Sequence, residues 1–190
     1  MEAKGTSTPP WIPWAIAGTA LATAVVLLWM GQPPFGPDGR FAWWDGDIWS
    51  PGTSQRFADP YSFSHVGHGL IFYGLLWAAG RKRPVGERLF AAVVLEAGWE
   101  ILENSPIIIQ RYRESTIATG YAGDSVLNSM SDVAMMAAGF LAARRLPVWT
   151  SVALLVGLEA AALLVIRDNL TLNIIMLLAP NDAIRSWQAG

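Results

Sequence analysis

An all-α polytopic membrane helix bundle, with five transmembrane helices plus a short C-terminal re-entrant or interfacial helix, is the fold that three features of the sequence predict. Hydrophobic residues fill 53% of the 190 positions and charged residues only 15%, a balance that suits a membrane protein better than a soluble domain. Apolar stretches recur at close to the length that spans a hydrocarbon core of roughly 30 Å, given a rise of about 1.5 Å per helical residue. Lysine and arginine gather in tight clusters at alternate ends of those stretches.

The first span covers 11–30, a run without a charged residue. A secretory signal is the rival reading. Lys4 is the only basic residue ahead of the run, and Gly31-Gln32-Pro33-Pro34 follows it in place of a small-residue cleavage site, so an uncleaved helix is favoured. Residues 31–61 are rich in Gly, Pro, Asp and Trp and show no sustained period, which predicts a loop at the membrane interface. The second span, 63–80, ends at Arg81-Lys82-Arg83-Pro84, and the third, 89–105, is interrupted by Pro106. A polar connection holding Arg111, Arg113 and Glu114 leads to the fourth span, 123–143, which Arg144-Arg145-Leu146-Pro147 closes. The fifth covers 147–166. The apolar segment 170–179 has about half the length a crossing needs, so a re-entrant or interfacial helix is expected in place of a sixth span. Residues 1–10 form an N-terminal tail and 11–190 a single membrane domain.

Basic residues near span ends are retained in the cytoplasm. Arg81, Lys82, Arg83 and Arg88 lie between spans two and three, and Arg144 and Arg145 between spans four and five. These turns and the N-terminus with Lys4 are therefore expected inside. The first loop, the connection after Pro106 and the C-terminus face outward, which implies a multi-pass inner-membrane protein with a periplasmic C-terminus. The net charge of −2 gives no basic excess and excludes nucleic acid as a partner. Without cysteine there is no disulfide, thiolate site or thiol nucleophile, so a metal would need imidazole and oxygen ligands.

Charges at bilayer depth are expensive and usually point into the bundle or a wet cavity. His65 and His68 lie three apart at the outer start of span two, on one helix face. Glu96, Glu100 and Glu103 share a face of span three, with Asn104 at its outer end and Glu96 placed deepest, in the inner half. Asp124, Asn128 and Asp132 repeat every four residues down span four, flanked by Ser125 and Ser129. Glu159 lies toward the outer half of span five, and Arg167-Asp168-Asn169 follows at its outer end. With Arg111 and Arg113 these residues predict an outward-facing polar pocket.

Each also has a plainer role. Asp124 would cap span four, and Asp168 or Asn169 the last short helix. The histidines would anchor at headgroup level, and Arg111 and Arg113 would be solvated interface residues. Asp132, Glu100 and Glu96 resist such explanations, because a lone carboxylate at their depth needs a proton, a partner or water.

Carboxylates at close quarters cannot all ionise freely, which leaves three chemistries. Arginines would make the pocket suit a lipid or polyprenyl phosphate, with His65 or Glu103 as acid or base. A divalent metal would take the two imidazoles plus Glu100, Glu103, Asp124 or Asp132, a donor set acceptable to zinc, manganese or iron that matches no standard spacing motif. Protons would make the carboxylates a relay, as in transporters. An intramembrane aspartyl dyad of Asp124 and Asp132 is disfavoured, because eight helical residues separate them by about 12 Å. Asp132 with Glu100 is the better pair.

The stretches Asp59-Pro-Tyr-Ser-Phe-Ser-His-Val-Gly-His68-Gly, Glu103-Asn-Ser-Pro, Arg111-Tyr-Arg, Gly123-Asp-Ser-Val-Leu-Asn-Ser-Met-Ser-Asp132 and Arg167-Asp-Asn-Leu-Thr-Leu-Asn173 resemble an uncharacterised alphaproteobacterial multi-pass inner-membrane family (domain of unknown function 2585, uncharacterised protein family 0314). The resemblance implies the membrane location and supplies no reaction. The order of histidine, glutamate, arginine, aspartate and asparagine also looks like the VanZ-like proteins associated with glycopeptide resistance. Asn104 and Asp132 depart from that pattern, so this likeness implies only a lipid-facing role.

The expected catalytic candidates are thus His65, Glu100, Glu103 and Asp132. The expected binding residues are His68, Asn104, Arg111, Arg113, Asp124, Asn128 and Arg167. Their expected work is binding or modifying an envelope lipid. A metal- or proton-dependent transport component is the alternative, as is a structural partner of another membrane protein. Membrane lipids are the expected partners, with a homo-oligomer or a second membrane protein beside them.

Overall fold

The computed structural model describes residues 7–36 and 38–190, so the expectations for Lys4 and the first six residues lie outside it. The described residues form eight α-helices and no strand: α1 Ile12–Trp29, α2 Ser62–Gly80, α3 Val85–Glu103, α4 Pro106–Ser115, α5 Val126–Arg145, α6 Val148–Ile166, α7 Leu170–Leu178 and α8 Asp182–Ala189. Three of them, α1, α5 and α6, are long and apolar enough to cross a membrane. α2 and α3 are as long as α6, at 19 residues each, but carry the polar residues described below. The side chains that make the site keep these two helices out of the apolar set.

α5 is the centre of the molecule. Over half of its apolar window is buried, against 17% for α1 and 6% for α6, which leaves those two as outer walls. The closest seam joins α2 to α5. A Cβ on Gly69 would collide with the Met136 carbonyl, and one on Gly139 with that of Val66, so the two backbones touch where both helices lack a side chain. Small residues at such seams are how helices pack closely inside a membrane. Beside the seam, Ala92 and Val93 of α3 pack with Val133, Met136 and Phe140 of α5, and Tyr73 of α2 meets the Phe140 ring edge-on at 5.1 Å.

Several expected boundaries move. Span three starts at Val85, directly after Pro84, because the Arg88 stem is buried and its guanidinium lies 5.5 Å from the Tyr73 ring centre. A long charged side chain can be covered this way, which a count of apolar residues does not register. Pro106 opens a helix. It sits in the first turn of α4 with Ser105 accepting from the Ile108 N–H, where a missing N–H costs nothing. The expected polar connection is therefore partly helical. Ser125, not Asp124, caps α5 by accepting from the Asn128 N–H at 3.2 Å. Asn169 caps α7 through the Leu172 N–H at 2.8 Å. At nine residues α7 is short, and α8, which the sequence did not announce, follows it.

The loop 31–61 seals one end of the bundle. Its Pro33 and Pro34 carbonyls accept from the Val126 and Leu127 N–H groups, and the Ser54 carbonyl from the Ser125 N–H. First-turn donors of a helix have no partner within it, so this loop satisfies those of α5. Asn128 adds its side-chain amide to the Arg56 carbonyl at 2.9 Å, and Arg56 is held from the other side by a forked pair with Asp38. That pairing keeps the Asp38 carboxyl well below the usual carboxylate range.

Candidate functional site: a buried histidine and carboxylate cluster

α2 and α3 are antiparallel arms about the turn at 81–84, so residues equally far from the turn face each other. His65 lies fifteen residues before Gly80, and Glu100 fifteen after Val85. The two histidines and the glutamates Glu96 and Glu100 therefore meet across one seam. α5, pressed against α2 at Gly69 and Gly139, brings Asp132 to the same point.

Glu96 is fully buried and receives both imidazoles. His65 Nδ1 lies 2.5 Å from its Oε1, and His68 Nδ1 lies 3.0 and 3.1 Å from Oε1 and Oε2. An ionised Glu96 only accepts, so each Nδ1 facing it carries a proton, and a ring that is neutral keeps its lone pair on Nε2. The His65 Nε2 is 3.7 Å from Asp132 Oδ2, too long for an N–H···O bond. Glu100 Oε1 stands 3.6 Å from His65 Nδ1. Neither Glu100 Oε1 nor Asp132 Oδ1 has a hydrogen-bond partner, although both are sealed from solvent. Orphaned buried carboxylate oxygens are costly unless a proton, a water or an ion meets them.

Three overlapping groups of donor atoms could hold a cation: His65, His68 and Glu96; His65, Glu100 and Asp132; Glu100, Glu103 and Asp124. In the third group Glu103 and Asp124 already meet protein partners. Tyr121 donates its hydroxyl to Asp124 Oδ1, the Asn104 amide donates to Asp124 Oδ2, and the Tyr112 hydroxyl lies 2.9 Å from Glu103 Oε1. Burial pushes the Asp124 carboxyl up to about 6 in spite of those two donors. Asn104 also accepts from the Asp124 N–H at 2.7 Å, which ties the end of α3 to the entry of α5. Gly123 is needed there, since it has φ +90° and a Cβ would strike Gln32 and Asn104.

Of the expected site residues, His65, His68, Glu100 and Asp132 converge. Glu103, Asn104 and Asp124 form the adjoining network, and Asn128 is spent on the loop. The arginines lie elsewhere. Arg111 donates to the Leu177 carbonyl at 2.8 Å, Arg113 to that of Tyr121 and Arg167 to that of Trp187 at 3.1 Å, so none neutralises the cluster. Asp124 and Asp132 fall in different groups and form no dyad. The placement of Glu96 needs correction. With α3 beginning at Val85, Glu96 lies past its midpoint on the side of the site, and it is the anchor of both histidines. The matched spacings of His65 and His68 with Glu96 and Glu100 about a short turn were the available signal.

The chain belongs to the family described as "Protein of unknown function (DUF2585)", whose model matches residues 27–190. Relatives called "UPF0314 protein" agree along nearly the whole length. That of Sphingopyxis alaskensis is 51% identical over 93% of this chain and 95% of its own. That of Novosphingobium aromaticivorans is 50% identical over 93% and 91%. That of Paracoccus denitrificans is 48% identical over 93% and 92%. No solved structure matches. The family is an uncharacterised alphaproteobacterial one, and the VanZ-like likeness stays at the level of the motif order from which it was drawn.

Proposed function

We propose that this chain is a multi-pass inner-membrane protein of five spans, α1, α2, α3, α5 and α6, that holds a divalent transition metal and presents it to an envelope lipid on the periplasmic side. The observation that carries the metal is the gap between His65 Nε2 and Asp132 Oδ2. The two atoms face each other there at 3.7 Å with no hydrogen bond between them, and a neutral His65 ring would offer its Nε2 lone pair to an ion in that gap. Ligands about 2.0–2.2 Å from a tetrahedral metal stand about 3.4 Å apart, so a small shift would seat an ion. His65, Asp132 and Glu100 are the proposed ligands, and Glu96 is the outer carboxylate that fixes the imidazoles. A mixed imidazole and carboxylate set suits zinc, manganese or iron. When bound, such an ion supplies a Lewis acid for a phosphoryl or carbonyl oxygen.

The lengths of α2 and α3 support five spans, since 19 helical residues reach about 28 Å. The basic clusters at Arg81–Arg83 and Arg144–Arg145 support the orientation, because they lie at the helix ends away from the site.

Elemental analysis of full-length protein purified without chelator tests the proposal. Wild type is expected to retain close to one equivalent of metal, and Asp132→Asn and Glu100→Gln to retain less than a tenth of that while staying monodisperse. Wild type free of metal after incubation with zinc, manganese and iron would overturn the proposal. A second reading, cation or proton transport, is favoured by one feature: Glu100 belongs to two of the three groups, so ionisable residues run in a file from His68 to Asp124. Ion flux in proteoliposomes that is lost in Glu103→Gln would support transport over lipid chemistry.

A further inference from the structure

α6, α7 and α8 form an open, shallow apolar groove of about 410 Å³ lined by Leu163, Leu172, Ala183, Ile184 and Trp187. We infer that this groove binds one acyl chain of an anionic membrane phospholipid, with Arg167 and Arg185 meeting its phosphate. The inference names the lipid class for the function proposed above. It rests on the membrane placement of α6 and not on the metal.

The occupant follows from what surrounds the groove. α6 supplies Leu163, and only 6% of its apolar window is buried by protein, with Leu164 and Val165, the next two residues along the helix, 84% and 77% exposed. In a bilayer such a wall is covered by acyl chains, and the open groove at Leu163 adjoins it. α8 is amphipathic, placing Ile184 and Trp187 on the groove while Asp182 and Ser186 are exposed, the build of a helix lying in the headgroup layer. Trp187 is half-exposed, as an interfacial tryptophan should be.

Charge complements the apolar floor. Arg167 Nη1 donates to the Trp187 carbonyl at 3.1 Å, and Arg185 Nη1 to the Glu114 carbonyl at 3.1 Å. Neither forms an ion pair with a carboxylate among the described residues. Each therefore keeps guanidinium N–H groups for a phosphate, positioned by a backbone tether. Arg111 fixes the same unit by donating to the Leu177 carbonyl. Three arginines thus hold the C-terminal helices through backbone carbonyls, and their charge is not cancelled.

The test uses full-length protein in a neutral detergent containing equal phosphatidylglycerol and phosphatidylcholine, read by native mass spectrometry. Wild type is expected to retain one phosphatidylglycerol in preference to phosphatidylcholine. In the double variant Arg167→Gln/Arg185→Gln that preference should fall by about thirtyfold, the effect of two basic side chains close to an anionic lipid. Ala183→Phe fills the groove and should cut retention of both lipids by at least about tenfold. Equal retention of the two lipids by wild type, no retained lipid, or a second copy of the chain in place of lipid would each overturn the inference. Unchanged retention in both variants would do the same. Metal content and the circular dichroism melt of each variant separate this from the metal proposal, since neither substitution touches the cluster. Should a variant not fold, the wild-type preference and its loss at high salt decide alone.

Discussion

From the Arg83 end to the Asp59 end of the α2, α3 and α5 bundle, the buried material changes from Phe140, Met136 and Val93 to His65, Glu96, Glu100 and Asp132. The apolar half is held by contact. Its side chains need no particular partner, only volume filled, and the backbones close at Gly69 and Gly139. The polar half is held by pairing: Glu96 satisfies two imidazoles, Asn104 bridges α3 to Asp124, and Asp59 and Ser62 bond reciprocally at the start of α2. The difference is that pairing at this end is incomplete. Two carboxylate oxygens, on Glu100 and Asp132, are buried there without a hydrogen-bond partner, and the metal proposed above is placed against them.

The seam common to both halves should give the largest effect. Gly69→Leu or Gly139→Leu places side-chain atoms where a carbonyl now lies, and no monodisperse folded monomer is expected on size-exclusion chromatography in detergent. A wild-type elution profile would mean that this contact does not set the register of α2 on α5. Next comes the apolar half. Phe140→Ala is expected to cost about 3–5 kcal/mol in a denaturation curve while metal content at the other end stays unchanged. Loss of metal together with stability would show that the two halves are one cooperative unit.

A smaller effect is expected at the polar end, from pH. Burial pushes the Asp168 carboxyl up to about 6, against hydrogen bonds from the Asn169 N–H and the Tyr61 hydroxyl. A raised carboxyl pKa favours the protonated form in the folded state. Its contribution is therefore full below about pH 4 and lost as pH rises through about 6, up to about 3 kcal/mol in all. Wild type should lose that stability between pH 4 and 7 relative to Asp168→Asn, measured by melting at each pH. Parallel curves would place the Asp168 carboxyl in ordinary solvation.

Much of this comparison could be seen in the sequence, because both halves are written in helical period. The three-residue step from His65 to His68 and the four-residue steps among Glu96, Glu100 and Asp132's neighbours put each set on one face, and those faces do meet. The arginines misled for a physical reason. A guanidinium reaches far enough to bond a distant backbone carbonyl, as Arg111 does to Leu177, so position along the chain does not say where its charge is spent. A span that starts at 89 puts Glu96 in its inner half, whereas α3 starts at Val85. The buried Arg88 hid the first turn, and with it the true midpoint of the helix.

What the sequence determined by itself is local: an apolar chain cut into helices, the faces on which histidines and carboxylates lie, and the cap of α7 as one of the neighbours Asp168 and Asn169. Those depend on bonding within a turn or two. Tertiary structure alone decided that Glu96 would hold both imidazoles, that Asp132 and Glu100 would keep unpartnered oxygens, and that the arginines would gather at the C-terminal helices. Each of those outcomes depends on which faces of separate helices meet. That is set by the close approach of Gly69 and Gly139 and by the loop closing over α5, contacts between residues far apart in the chain.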